Sequence, residues 1–492
     1  MSQALTEARL YEEAQSRTIP DAARPGFHLS PRVGWMNDPN GLSWYGGQYH
    51  LFYQYHPYDT HWGSMHWGHA VSADLLRWRY LPAALAPDAA YDQNGCFSGS
   101  ALALPDGRHL LMYTGVARET LPDGGTRDVQ TQNLAFGDGE NYEKYAHNPI
   151  LSARHLPEGG SRFDFRDPKI WQDPDGGYRA VVANDHPGHG GQILLFKSDD
   201  LRAWQLERVL AKNDGRLGRM WECPDFFALD GQYVLLSSAQ DMLPVDLEYH
   251  NGNGTFCMLG HLDESGAFIE ESNQAIDYGI DFFAPQTLLT PDGRRVMIGW
   301  MQNWDTCNQR SHDAPWFGQM TLPRELSIRN EALFQRPIRE LDALRGDRVE
   351  YAHVKIENGE IALPGVCGRM VDMEIELEPG EELFERFVIR FARDDRCHTS
   401  LGFRPRESVL TVDRRFSGSR RDILHQRRAR VNHDHGRLKL RLILDRFSAE
   451  VFVNDGEKVL STTFYTDLSA DAITFCADGR LSFSVRCYPL EI

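Results

Sequence analysis

Asp38, Asp167 and Glu222 share a spacing that brings three carboxylates towards one place. Each lies nine residues before the second residue of a glycine turn, at Gly46-Gly47, Asp175-Gly176 and Asp230-Gly231. Two further turns, Asp106-Gly107 and Asp292-Gly293, put Ser98 and Ala284 at the same offset. If the turns mark a repeated unit, the five offset positions are equivalent in space and the three acids line one funnel. Like charges held that close do not all ionise freely, so at least one carboxyl must titrate above its ordinary range. One ionised carboxylate paired with one carboxylic acid is what cleavage of a glycosidic bond requires.

The local sequences divide those roles. Trp35-Met36-Asn37-Asp38-Pro39-Asn40-Gly41 surrounds the first acid with amides and a rigid turn, a setting that favours the ionised form. In Phe165-Arg166-Asp167-Pro168 a guanidinium stands next to the second acid. Met220-Trp221-Glu222-Cys223-Pro224 puts the third among apolar neighbours, where burial favours the protonated form. A single Asp-Pro pair reads more readily as a turn; three acids at matched offsets do not.

The elements that must position these acids follow from the same turns. Each turn joins two short runs rich in β-branched and aromatic residues, such as Leu42 to Tyr45 and Tyr49 to Gln54, which is a hairpin pattern. A second marker recurs: Ser72-Ala73-Asp74-Leu75-Leu76-Arg77-Trp78 is a close copy of Ser198-Asp199-Asp200-Leu201-Arg202-Ala203-Trp204, with Asp138 and Tyr142 between them at the same four-residue offset. Five units of about sixty residues, each of several strands, form a radial array, because one blade cannot bury both of its faces. The expected fold is all-β: a helical lead-in over 1–26, a five-bladed β-propeller over 27–335, a linker over 336–348 and an antiparallel β-sandwich over 349–492. In the last region Leu438, Leu440, Leu442 and Leu444 alternate with Lys439 and Arg441, the sign of a sheet with one wet face. The basic stretch from Arg414 to Arg430 reads as a solvated loop or a subunit contact, and the sandwich is a candidate surface for self-association.

Composition narrows the classes. A chain of 492 residues with net charge −18 is poorly suited to nucleic acid or an anionic membrane. No apolar run is long enough to span a bilayer, and the polar segment Met1 to Pro20, with Ala4, Ala8 and Tyr11 on one side, reads as an amphipathic helix. The eight cysteines show neither metal-type spacing nor a dense disulfide framework, which fits a reduced, cytoplasmic protein. His50, His56, His61, His66 and His69 show no metal-site pattern, and the chemistry above needs no metal or cofactor.

With these residues in view, the chain resembles glycoside hydrolase family 32. The resemblance rests on the motif from Trp35 to Gly41, Phe97-Ser98-Gly99-Ser100, Phe165-Arg166-Asp167-Pro168, Glu222-Cys223-Pro224, Asp277-Tyr278-Gly279, Gly299-Trp300-Met301 and Leu322-Pro323-Arg324-Glu325-Leu326. It continues in Leu444-Asp445-Arg446 and the run from Glu450 to Gly456. The resemblance implies Asp38 as nucleophile, Glu222 as general acid and base, and Asp167 as transition-state stabiliser with Arg166 beside it. It carries Asn37, Gln54, Trp62, Phe97, Ser98 and Trp300 over as further substrate contacts. It implies hydrolysis of a terminal β-fructofuranosyl bond of sucrose or sucrose 6-phosphate with retention. Exo-cleavage of fructo-oligosaccharides or inulin is the alternative, and transfer of the fructosyl unit to a second sugar uses the same residues. A non-catalytic sugar-binding propeller is the reading from another class, and retention of all three acids argues against it.

Overall fold

The five glycine turns each join paired antiparallel strands, and the glycine at the second position of every turn has φ between 80° and 97°, a region that favours a residue without Cβ. The computed structural model describes residues 1–307, 314–380, 382–418 and 424–492. Around the turns it builds five sheets arranged as a five-bladed β-propeller. Their first strands are Gly34–Tyr45, Gly95–Ala103, Phe165–Gln172, Trp221–Leu229 and Phe283–Leu289. The repeated aspartates cap the turns that follow the third strand of the first three blades: backbone N–H groups two and three residues on donate to Asp74, Asp138 and Asp200. The ring closes through the segment inserted in the fifth blade. There Trp316–Phe317 pairs in parallel with Gly34 and Trp35 of the first.

A helix at Gln3–Ser16, with Ser2 as its N-cap, packs on the first blade. Its buried residues are Leu5, Ala8 and Glu12, and Ala4 and Tyr11 of the side expected from the sequence pack against the same core. Glu12 joins them because its carboxylate accepts the Ala83 N–H at 2.9 Å. Burial pushes that carboxyl up to about 7.

The C-terminal region is one hydrogen-bonded sheet folded into a sandwich. Its long last strand, Ala472–Pro489, pairs with Arg386–Arg393 at one end and Val371–Leu377 at the other, with Val349–Ile361 along its opposite edge. The two halves meet face to face, for instance where Phe391 packs on Phe464. Along Leu438–Asp445, Leu438, Leu440, Leu442 and Leu444 enter the sandwich core as expected. On the other face Lys439 is exposed, but Ile443 is buried against Phe27, Leu29 and Leu344 of the propeller side. The outer face is therefore wet only until the propeller covers it.

The expectation of a solvated basic stretch holds only in part: Arg415, Arg428 and Arg430 are exposed, but Arg414 and Arg427 are buried. Arg414 is fully buried and its guanidinium meets Asp281 at 2.6 Å. Arg427 is buried and donates to Asn251 at 2.9 Å, while Arg430 pairs with Asp246. Every one of these partners belongs to the propeller. The charges read as solvent-facing because their partners lie more than a hundred residues away in the chain. Arg420 and Arg421 lie outside the described residues.

Candidate active site

Near its start, the first strand of every blade is broken by a register shift, at Asn37-Asp38, Ser98, Asp167-Pro168, Cys223-Pro224 and Ala284-Pro285. A proline there removes a ladder donor, and a bulge re-aims the side chain beside it. Asp167, Cys223 and Ala284 have φ of 63°, 49° and 51°, left-handed values that cost about 1–3 kcal/mol each in a non-glycine residue. The strain is repeated in three blades and turns these side chains towards a common centre.

This register corrects the nine-residue count in one blade. Cys223, not Glu222, matches Asp167 and Ala284, since each precedes a proline and each has positive φ. Glu222 stands one position earlier, level with Arg166 and Phe283, the residue paired just before the bulge in their blades. The site is thus built in layers. Asn37, Asp38, Ser98, Asp167 and Cys223 lie within the shifts, and Phe97, Arg166 and Glu222 are the residues paired just before them. Below them Asn40, Ser100, Lys169, Asp225 and Gln286 make a polar floor. There Lys169 Nζ meets Asp225 at 3.2 Å and donates to the Thr287 carbonyl at 2.6 Å, and Gln286 donates to the Gly99 carbonyl at 2.6 Å.

The acids are in mutual reach. Ser98 Oγ donates to Asp38 Oδ2 at 2.6 Å, and the Cys223 thiol lies 3.5 Å from that oxygen and 3.6 Å from Asp167 Oδ2. Asp167 Oδ2 also accepts the Cys223 N–H at 3.0 Å. Glu222 Oε1 accepts from Arg166 Nη2 and from Gln240 Nε2, both at 2.9 Å. Asp38 Oδ1 and Glu222 Oε2 are buried with no hydrogen-bond partner among the described residues. Desolvation of this kind is expensive unless a ligand or a proton relieves it.

The electrostatics follow from burial and crowding. Burial pushes Asp167 up to about 7; Arg166 opposes the rise, and the charges of Glu222 and Asp38 add to it. Burial also lifts Glu222 above the ordinary carboxylate range, against the pull of Arg166 and with the help of Asp38. Arg166 is less a partner of Asp167 than its sequence position implies. Its nearest approach to Asp167 is 3.8 Å, against 2.9 Å to Glu222 and 3.1 Å to Asp164.

A wall of aromatic rings completes the pocket: Trp35, Phe283, Trp300 and Phe317 form one buried cluster, with Phe97 and Trp304 packed against it. A carboxylate set beside an aromatic wall suits a small polyol. The crevice of about 640 Å³ between the two domains is not this site. It is lined by residues such as Arg339, Glu374, Lys439 and Arg441, and none of the three acids reaches it.

Comparison with known proteins decides the family. Residues 28–337 match the glycosyl hydrolases family 32 N-terminal domain, and residues 340–489 match its C-terminal domain. The chain belongs to glycoside hydrolase family 32. It is similar to a sucrose-6-phosphate hydrolase of Escherichia coli, 38% identical over 90% of this chain and 89% of that one. A raffinose invertase of the same species is 37% identical over 97% of each chain. A solved Bombyx mori family 32 β-fructofuranosidase superposes with a TM-score of 0.85 at 34% identity, covering 99% of this chain and 98% of that chain.

The remaining expected residues of this hydrolase fall as follows. Asn37 is buried, its side-chain carbonyl accepting from the Trp35 indole at 2.7 Å. Gln54, on the second strand of the first blade, donates to the Cys96 carbonyl at 3.0 Å and ties two blades together. Trp62 is 48% exposed, with its ring edge-to-face against Phe97 at 5.9 Å. Trp300 is fully enclosed between Trp35 and Trp304, and its indole N–H is without a partner among the described residues. Two residues next to the acids escaped the sequence reading. Cys223 carries the Pro-following signal that its blade-mates share. Gln240 follows the strand Gln232–Ala239 and carries no sequence signal.

Proposed function

We propose that this hydrolase cleaves the terminal β-D-fructofuranosyl bond of sucrose or sucrose 6-phosphate by double displacement, with residues 27–335 as the catalytic unit and 349–492 as its support. The observation that carries the reading is the pair of unpartnered oxygens, Asp38 Oδ1 and Glu222 Oε2, in one aromatic-walled pocket. Asp38 attacks the anomeric carbon of the fructosyl unit. As the C–O bond breaks, its electron pair stays on the leaving oxygen, which takes the proton of Glu222. Glu222, now ionised, removes a proton from water. The hydroxide attacks the same carbon and frees Asp38, and net retention results. Asp167 holds fructose hydroxyls, and Arg166 steadies the charge that Glu222 acquires. Asn37, Gln54, Trp62, Phe97, Ser98 and Trp300 shape the fructosyl pocket. Retention predicts about 5–5.5 Å between the carboxyls of Asp38 and Glu222.

The substrate assignment draws on relatives named for sucrose 6-phosphate and raffinose. A Bacillus subtilis levanase, 32% identical over 99% of this chain, supports exo-cleavage of fructans as the second reading. Turnover of sucrose, sucrose 6-phosphate, kestose and inulin measured side by side separates the two: the disaccharides are expected to lead, and a higher kcat/KM on inulin would reverse the order. We place the enzyme in the cytoplasm, because the spacing of its eight cysteines shows no dense disulfide framework.

A further inference from the structure

The two oxygens of Glu222 are not equivalent. Oε1 faces three N–H groups: Arg166 Nη2 at 2.9 Å, Arg166 Nε at 3.3 Å and Gln240 Nε2 at 2.9 Å. Oε2 has no partner among the described residues. An oxygen surrounded by donors is held as an acceptor and has no room to carry a hydrogen of its own. Arg166 alone does not hold it firmly, because its guanidinium also serves Asp164 at 3.1 Å and Gln130 at 3.4 Å. Gln240 brings a neutral donor from a fixed backbone. Its N–H donates to the Met220 carbonyl at 3.0 Å, and its own carbonyl accepts the Arg219 N–H at 2.7 Å. Gly218 packs so closely under that carbonyl that a Cβ there would lie 2.4 Å from it.

We propose that Gln240 is a positioning residue for the proton transfer: with Arg166 it keeps Oε1 of Glu222 as an acceptor and confines the transferable proton to Oε2. The Oε2–H bond is the one that breaks when the leaving oxygen is protonated, and Oε2 is the atom that later takes the proton from water. Gln240 never touches the substrate. It fixes which oxygen acts and the direction in which it points. Its donor also favours the ionised form of Glu222 and so limits how far burial raises that carboxyl. The inference rests on Glu222 being the proton donor.

The test is the pH profile of kcat and kcat/KM on sucrose for the wild type, Gln240→Leu and Gln240→Glu, with Glu222→Gln as a control. Unfolding midpoints establish that each variant is folded. Gln240→Leu is expected to lower kcat by roughly ten- to a hundredfold while KM changes less than about threefold. Its basic limb should move up by at least about half a pH unit, because a donor to the ionised acid is gone. Gln240→Glu keeps the shape of the side chain, and its second carboxylate should push the limb higher still. A basic limb that stays in place in both folded variants overturns the proposal, whatever happens to kcat, because a merely structural role leaves the limb unmoved. If Gln240→Leu fails to fold, Gln240→Glu alone decides it by the same criterion. Wild-type turnover in Glu222→Gln would instead overturn the assignment of the acid.

Discussion

Two groups of buried carboxylates in this molecule differ in how completely their oxygens are satisfied. At the seam between propeller and sandwich every oxygen is occupied. Asp445 accepts from the N–H groups of Gly26, Phe27, His28 and Arg446 and from the His28 ring. Glu450 accepts from the other His28 nitrogen, the Leu322 N–H and two nitrogens of Arg324. Asp277 binds Arg324, Ser461 and Gly279, and Asp281 binds Arg414, Thr306 and Thr463. Burial lifts Asp277 above the ordinary carboxylate range against the pull of Arg324 and opposes ionisation of Asp445 and Glu450, yet His28 and Arg324 hold these last two below it. In the pocket the balance runs the other way. Asp38 and Glu222 each keep a bare oxygen, and burial holds Glu222 and Asp167 high. The same residue types therefore serve cohesion where their partners are complete and chemistry where they are not.

The sharpest way to break this contrast is to remove the acid of the pocket. Glu222→Gln is expected to lower kcat on sucrose by about 10³-fold or more, with an unfolding midpoint no lower than that of the wild type, since the change relieves a buried carboxyl. Steady-state assay beside a thermal melt checks both halves. Next in size is the seam. Glu450→Gln leaves His28 and Arg324 facing a neutral amide and should cost about 3–5 kcal/mol in denaturant unfolding, while kcat per folded molecule stays near wild type.

The two regions also differ in pH response. Burial opposes a charge on His28, but Asp445 and Glu450 raise its folded value to about 9 from 6.5. Its contribution, about 3 kcal/mol, is complete below pH 6.5 and is lost as pH rises through about 9. A wild-type melting series from pH 6 to pH 9.5 should fall, and His28→Gln should flatten it. Asp167 sits near 7 when folded, whereas its ordinary value is 3.8. As pH climbs from about 4 to 7 the unfolded chain gives up this proton before the folded one does, so the wild type loses stability across that window. Asp167→Asn should gain on the wild type between pH 4 and pH 7 and hold the gain above it. The smallest effect is expected at Trp62, exposed and in contact with Phe97: Trp62→Ala should shift stability by less than about 0.5 kcal/mol and raise KM severalfold.

The pocket was far more legible in the sequence than the seam. Glycine turns and X-Pro pairs are local signals, and they located Asp38, Ser98 and Asp167 on equivalent first strands. The count slipped by one at Glu222 for a geometric reason. In the fourth blade Leu229 pairs with Gln232 across a two-residue turn, whereas Gln172 and Tyr178 of the third enclose five residues. The first blade also has a two-residue turn, but a second register shift between Asn40 and Ser43 lengthens its strand and leaves Asp38 within the first shift. At the seam no local pattern exists. Arg414 and Asp281 meet across 133 residues of chain, and Arg324 and Glu450 across 126. Read alone, each of these is a charge that belongs in water. Gln240 was invisible for a similar reason, because its significance lies wholly in the oxygen it faces.

One chemical change made in both regions tests the contrast most directly: Asp38→Asn and Asp445→Asn, each assayed for kcat on sucrose and for its unfolding midpoint. Asp38→Asn is predicted to lose about 10⁴-fold in kcat at an unchanged midpoint, and Asp445→Asn to lose about 3–5 kcal/mol of stability at an unchanged kcat per folded molecule. An Asp38→Asn enzyme that turns over sucrose normally, or an Asp445→Asn enzyme that is inactive yet as stable as the wild type, would contradict the account.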